Sequence, residues 1–327
     1  MRTPRFWWDK PGALSALLSP LGAIYGAVAA KRLSQEGERA GAPVICIGNP
    51  TVGGAGKTPA AIAIARMLLA KGQRPMFLTR GYGGRLAGPV TVESGHTATQ
   101  VGDEPLLLAR VAPTVVAHNR AAGARHAVAS GASVIVMDDG FQNPTLAKDL
   151  SILVIDAARG VGNGHALPAG PLRAPLAPQI ARAQAVLMVG DGPDIVSGLP
   201  VFHARLEPDR AALAALAGQR VLAFAGIGNP GKFFATLAAA GIDAPVTRAF
   251  PDHHRFMLRE ARDLLREADR QKLTLLTTEK DLVRLQGDAQ VTALAGRTRA
   301  LPVELFVKEA DAFAALIEGA LRPQAPG

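Results

Sequence analysis

Gly48-Asn49-Pro50-Thr51-Val52-Gly53-Gly54-Ala55-Gly56-Lys57-Thr58 follows the apolar run Val44-Ile45-Cys46-Ile47 and precedes an Ala/Ile/Leu-rich helical pattern from Pro59 to Ala70. A strand, a glycine loop, Lys-Thr and a helix in that order make a cradle for nucleotide phosphates. Glycines let backbone N–H groups come close to the phosphates, and the helix start adds its positive dipole end. Gly53, Gly54, Ala55, Gly56, Lys57 and Thr58 are therefore the expected nucleotide-binding set. Lys57 is expected to reach the β- and γ-phosphates and Thr58 to hold Mg²⁺. The plain alternative is a glycine-rich strand-to-helix connection, and Thr51 stands where the first glycine of the motif is usual.

From this loop onward, apolar runs alternate with helical patterns, which predicts an α/β fold with a parallel sheet. The expected strands are Val44–Ile47, Pro75–Leu78, Thr114–Val116, Val134–Met137, Ile152–Ile155 and Ala185–Val189. Helices are expected over Ala60–Ala70, Leu106–Arg110 and Arg120–Ser130, and a long functional loop over the Gly/Pro-rich stretch 160–178. A second, smaller α/β unit is expected over 205–327, after a core of 33–204. Its strands are Arg220–Ala225, Leu273–Thr277 and Val303–Val307, and its last helix Asp311–Leu321. Gly226-Ile227-Gly228-Asn229-Pro230 lacks the glycine spacing of a dinucleotide site and reads as a structural turn.

The chain has 327 residues, 48% of them hydrophobic and only 19% charged, which excludes a disordered chain. Its net charge is +9, yet aromatics make up 5% and do not interleave with basic runs. A nucleic-acid stacking surface is therefore not expected; an anionic membrane face or a phosphorylated substrate fits the excess. The single cysteine, Cys46, excludes internal disulfides and fits a reducing compartment.

Gly12 to Ala30 carries no charge, is rich in Ala and Leu, and is interrupted by Pro20. Arg2, Arg5, Trp7 and Trp8 precede it, and Lys31-Arg32 follow. A signal peptide, a spanning helix and an apolar hairpin or helix resting in the membrane interface compete. A span of 19 residues would reach roughly 28 Å. The phosphate cradle argues against export, because nucleotide triphosphates are cytosolic. Pro20, Gly22 and Gly26 weaken a straight span, so the expectation is interfacial attachment of residues 1–32, with the tryptophans at headgroup depth. A helix packed on the domain is the competing structural reading.

Several stretches can carry chemistry. Val134-Ile135-Val136-Met137-Asp138-Asp139-Gly140-Phe141-Gln142 is an apolar strand ending in two carboxylates, either of which can orient Mg²⁺ or its water shell. Gly102-Asp103-Glu104-Pro105 precedes a helix; its carboxylates can cap that helix, or Asp103 can take a proton from an acceptor hydroxyl. Phe250-Pro251-Asp252-His253-His254-Arg255-Phe256 concentrates acid, imidazole and guanidinium in one loop, where at most one histidine is expected to reach a given site. Zinc is not expected there. Arg80-Gly81-Tyr82-Gly83-Gly84-Arg85 and Pro171-Leu172-Arg173 offer guanidinium forks to phosphate, and Thr277–Asp281 is a candidate lining for the nucleotide side of a cleft.

In order along the chain, Gly53–Pro59, Arg80–Gly83, Gly102–Pro105, Asp138–Gln142, Pro168–Arg173 and Phe250–His254 closely resemble the tetraacyldisaccharide 4′-kinases of lipid A biosynthesis. Trp7 and the apolar segment resemble that family's membrane-associated start. The resemblance implies a kinase core of the phosphate-loop NTPase type, a smaller carboxy-terminal α/β subdomain, and ATP and Mg²⁺ in the cleft between them. It implies transfer of the γ-phosphate of ATP to the 4′-hydroxyl of an acylated glucosamine disaccharide 1-phosphate, giving lipid IVA, at the cytoplasmic face of the inner membrane. Asp103 is then the general base, paired with a histidine of the Asp-His-His loop, His253 rather than His254. Arg80, Tyr82, Arg173 and Asn143 are the expected substrate-binding residues. Family members usually carry His where this chain has Asn143, which can still donate a hydrogen bond, and usually Glu where it has Ala174, which cannot. The rival reading is a nucleotide-dependent switch or metallochaperone-type NTPase; Val52, where partitioning ATPases carry a signature lysine, counts against that type.

Overall fold

The computed structural model describes residues 4–322; Arg2, one of the basic residues before the apolar segment, lies outside them. Thirteen strands follow in chain order: β1 Val44–Gly48, β2 Pro75–Thr79, β3 Val90–Thr91, β4 Thr114–Val116, β5 Val134–Asp138, β6 Leu150–Asp156, β7 Ala185–Val189, β8 Val201–Pro208, β9 Arg220–Ala225, β10 Asp243–Ala249, β11 Thr274–Thr278, β12 Thr298–Leu301 and β13 Val303–Val307. Nine of them form one sheet in the order β13-β8-β7-β6-β1-β5-β2-β4-β3. The central pairs are parallel, while the edge strands β3 and β13 run antiparallel to their neighbours. β1, β2, β5 and β7 are buried along their whole length, as strands of a sheet covered on both faces must be. One face packs against the helices Lys57–Ala70 and Ala310–Gly319, through Ile64, Leu68, Phe313 and Ile317. The other is covered in part by the helix Arg120–Ala129 and by Leu33 and Ile180.

A second, all-parallel sheet, β10-β9-β11-β12, has its own two-sided core. The expected boundary at 204/205 does not coincide with the division between sheets. β8 belongs to the large sheet, the small sheet spans 220–301, and β13 with the helix Ala310–Gly319 returns to the large one. Only Pro302 separates β12 from β13, so adjacency in sequence conceals a change of sheet.

The apolar amino-terminal segment is one continuous helix, Ala13–Leu33, with Pro20 inside it. Proline removes the amide that would bond the carbonyl of Ala16. The Ser19 hydroxyl donates to that carbonyl instead, at 2.8 Å, so the helix runs through. Its small side, including Ser15, Gly22 and Gly26, is buried. A Cβ at Gly22 would stand 3.0 Å from the Ala166 carbonyl oxygen, and one at Gly26 3.1 Å from Pro175 Cγ. Its other side exposes Leu14, Leu17, Leu21, Ile24, Tyr25 and Val28. Asn163 ties this start to the long loop, donating from Nδ2 to the Phe6 carbonyl, Ser15 Oγ and the Ala169 carbonyl. Trp7 turns its indole N–H inward onto the Pro168 carbonyl, at 3.0 Å, rather than leaving it free for solvent or headgroups.

Candidate active site

The glycine loop leaves the carboxyl end of β1, which lies between β5 and β6. Its shape depends on residues without Cβ: Gly53 and Gly56 sit at φ +106° and +93°, and beyond the adjoining residues no heavy atom lies within 4 Å of where a Cβ at Gly53 or Gly54 would stand. That open concavity fits phosphate oxygens. Thr51 forms an isolated antiparallel bridge to Leu172, and amide bonds from Val52 to Pro171 and from Arg173 to Pro50 pin the loop's entrance to the long loop. The amino-terminal helix in turn packs against that long loop.

Lys57 Nζ donates to Asn49 Oδ1 at 3.0 Å and lies 3.8 Å from Asp139 Oδ1. Burial lowers its pKa, opposed by the Asp139 charge. The register Ile47↔Asp138 sets the last residue of β5 beside the loop, where the Thr58 hydroxyl donates to Asp138 Oδ2 at 3.0 Å. Asp138 Oδ1 is buried with no hydrogen-bond partner. Burial, aided by the nearby charge of Glu104 and only partly offset by Lys57, pushes this carboxyl up to about 7. A hydroxyl beside an under-satisfied carboxylate suits a hard cation such as Mg²⁺.

Asp139 is differently placed. Its backbone is left-handed, at φ +55°, and Arg173 grips both carboxylate oxygens at 3.0 and 3.3 Å. Burial would raise its pKa, but Lys57 and Arg173 hold it below the ordinary range.

Across the cleft, Asp103 opens the helix Asp103–Leu108 and is almost wholly buried. Its Oδ2 lies 3.3 Å from His253 Nδ1 and accepts two N–H groups of Arg284, from Nε at 2.8 Å and from Nη2. Burial works to raise the pKa of Asp103, but His253, Arg284 and Lys280 together hold it well below the usual carboxylate range. The same contact with Asp103 raises His253. His253 also adopts φ +55° and carries the ring of Tyr82 at 5.2 Å. His254 points elsewhere, bonding Glu260 at 2.8 Å and stacking on Phe250. A cavity of about 120 Å³ beside the pair is lined by Tyr82, Asp103, His253, Arg255 and Arg284 among others.

The expected residues thus fall largely into two clusters, one around Lys57, Asp138 and Asp139, the other around Asp103 and His253. Arg80 is exposed just past β2. Asn143 accepts at Oδ1 from the amide and hydroxyl of Thr145, which fixes its side chain in its own turn with the Nδ2 donor uninvolved in those bonds.

The model of the tetraacyldisaccharide-1-P 4′-kinases matches residues 14–322 of the chain. The chain belongs to this family. The tetraacyldisaccharide 4′-kinase of Nitrobacter hamburgensis is 55% identical over 314 residues, covering 93% of this chain and 94% of that one. That of Methylobacterium nodulans is 56% identical over 322 residues, covering 95% and 94%. The solved structure of LpxK from Aquifex aeolicus in complex with ATP is 28% identical, with a TM-score of 0.76 over 94% of this chain and 100% of that one. Membership of this kinase family sets aside the switch or metallochaperone reading.

Sequence reasoning missed Arg284, which lies one helical turn past Asp281 and reaches Asp103 from the small sheet. Lys280, singled out only as part of Thr277–Asp281, donates to Glu104 at 2.7 Å. The only signal for Arg284 was the adjoining polar cluster Thr277–Asp281, where β11 passes into the helix Glu279–Gln286. Arg120 is also missed: it is buried beside Asp138 and Asp139, its Nε has no partner, and burial with the charge of Arg80 lowers it to about 10.

Proposed function

We propose that this chain transfers the γ-phosphate of ATP to the 4′-hydroxyl of an acylated glucosamine disaccharide 1-phosphate, giving lipid IVA. The observation that carries the reading is the meeting of Asp103 and His253 at 3.3 Å, across the cleft from the glycine loop of a family-matched kinase chain. Lys57 and the amides of Gly53 to Thr58 would hold the triphosphate. Mg²⁺, when bound, would neutralise charge on the phosphates, and Thr58 with Asp138 are the groups that fit it. Asp103 would take the proton of the 4′-hydroxyl as its oxygen attacks the γ-phosphorus, while the bond to the β-phosphate oxygen breaks and ADP leaves. His253, held protonated more readily than usual, would orient that carboxylate. Arg173 and Tyr82 stand where they could steer donor or acceptor.

Attachment to the cytoplasmic side of the inner membrane, peripheral or monotopic, is part of the same reading. The helix Ala13–Leu33 has a mean hydropathy of 1.6 over its best 18 residues, of which 17% are buried. It is docked by its small side and leaves a row of large apolar side chains outward, with Lys31 and Arg32 at one end. That pattern suits insertion into one leaflet.

Incubation with labelled ATP and acylated disaccharide 1-phosphate in detergent tests the proposal. Label should move to lipid with the natural chain, and roughly 100-fold more slowly with Asp103→Asn. Release of free phosphate with no labelled lipid would refute the acceptor assignment.

A further inference from the structure

The guanidinium of Arg284 belongs to the helix Glu279–Gln286 of the small sheet, yet it is buried in the cleft, with a side chain 8% exposed. It makes contacts in both units. Nε and Nη2 donate to Asp103 Oδ2, 181 residues away in sequence. Nη1 donates to Asp281 Oδ1 at 2.7 Å and to the Gly226 carbonyl at 2.8 Å. Asp281 is fully buried and is itself held by the Gly226 amide at 3.0 Å and by the Thr278 hydroxyl at 2.7 Å. Asp103 Oδ1 is fixed from its own side by the Glu104 amide at 3.0 Å. The carboxylate therefore cannot rotate without breaking a charge-assisted bond to a guanidinium that is anchored in turn.

We propose that Arg284 is a positioning residue for proton abstraction: it aims the Asp103 carboxylate and makes that aim depend on the small sheet being seated against the large one. The inference rests on the reading of Asp103 as the base. A lysine could supply charge here but not the planar fork that spans Asp103, Asp281 and Gly226 at once. The charged groups facing Asp103 are Arg284, His253 and Lys280, with Asp281 behind the guanidinium; removing Arg284 leaves two cations, and the basicity of Asp103 rises.

The test measures kcat, the KM for ATP and the pH profile of kcat for Arg284→Gln, Arg284→Lys and Asp103→Asn in the full chain. Arg284→Gln should lose roughly 100-fold in kcat with little change in the KM for ATP, because aim is lost rather than nucleotide binding. The acid limb of its profile should move to higher pH, because a cation that favours the ionised carboxylate is gone. Arg284→Lys should recover part of the loss. A kcat for Arg284→Gln within about threefold of the natural chain overturns the proposal, and so does a loss with an unmoved acid limb and no recovery by lysine. If Arg284→Gln does not fold, Arg284→Lys decides: reduced kcat with an intact KM for ATP supports the proposal, and natural kcat overturns it. Full activity in Asp103→Asn would instead defeat the base assignment itself.

Discussion

Asp138 ends a strand whose every residue is buried, and one of its two oxygens has nothing to bond. Burying a carboxylate in that state disfavours its ionised form, which is why the group is pushed up to about 7. The folded protein then holds this proton more tightly than the unfolded chain does. Stability contributed by the protonated form is present at low pH and lost as pH rises through 7. In metal-free buffer, Asp138→Asn should therefore be more stable than the natural chain at pH 8, by about 2–4 kcal/mol, with the gap closing towards pH 5. Thermal melts at both pH values check this; an equal gap at the two would refute it. The same variant should lose turnover. Asp138 was legible in the sequence because a carboxylate at the end of an apolar strand downstream of a glycine loop has few other uses. Arg284 was not: its i,i+3 spacing from Asp281 looks like an ordinary helix-surface pair, and its second partner is set by how two sheets meet. Asp139 and His253 add a cost no pattern displays, since both hold left-handed backbones that side chains other than glycine disfavour, on the order of 1–3 kcal/mol each.

Among the elements, the helix Ala13–Leu33 is the most sensitive to small changes, because a face of small residues lets it lie close to the long loop. Gly22→Val would bring branched carbons against the Ala166 carbonyl oxygen and Ala169 Cβ, 3.0 and 3.2 Å from the first added atom. It should cost about 1–3 kcal/mol. Because that loop also carries Arg173 to Asp139, kcat should fall in parallel with the melting temperature. Leu17→Ser, on the exposed row, should leave the unfolding free energy within about 0.5 kcal/mol of the natural value while weakening vesicle binding. If it destabilises as much as Gly22→Val, the row is a buried interface rather than a lipid-facing one. The buried strands of the large sheet were legible as continuous apolar runs. β10 was not, because it is an edge strand of mostly exposed residues, Asp243-Ala-Pro-Val-Thr-Arg-Ala, with no usable alternation. Pro20 misled the reading of the helix because the compensating Ser19 hydroxyl is a side-chain choice, not a backbone signal.

For the molecule as a whole, the carboxy-terminal return ties the architecture together. β13 closes the large sheet beside β8, and Phe313 of the following helix packs edge-on against Phe202, with ring centroids 5.0 Å apart. Phe313→Ala should cost about 3–5 kcal/mol, a large share of the stability of a typical domain. Chemical denaturation of the full chain measures it; a cost under about 1 kcal/mol would show that the helix is dispensable.

The small sheet is thus inserted between two strands of the large one, and its entrance and exit are joined by the Asp209 amide donating to the Pro302 carbonyl at 2.9 Å. This has a consequence for synthesis on the ribosome. β8 is made early, but the strand that covers its open edge emerges only after the whole insert. A nascent chain stopped before residue 303 carries a sheet edge with free backbone groups and an uncovered apolar face, which are the features that recruit chaperones and promote aggregation. Ribosome-bound chains ending at 302 should be cut by protease near β8, whereas chains with residue 322 clear of the exit tunnel should resist. β8 thus waits through the synthesis of the whole insert for the strand that shields it.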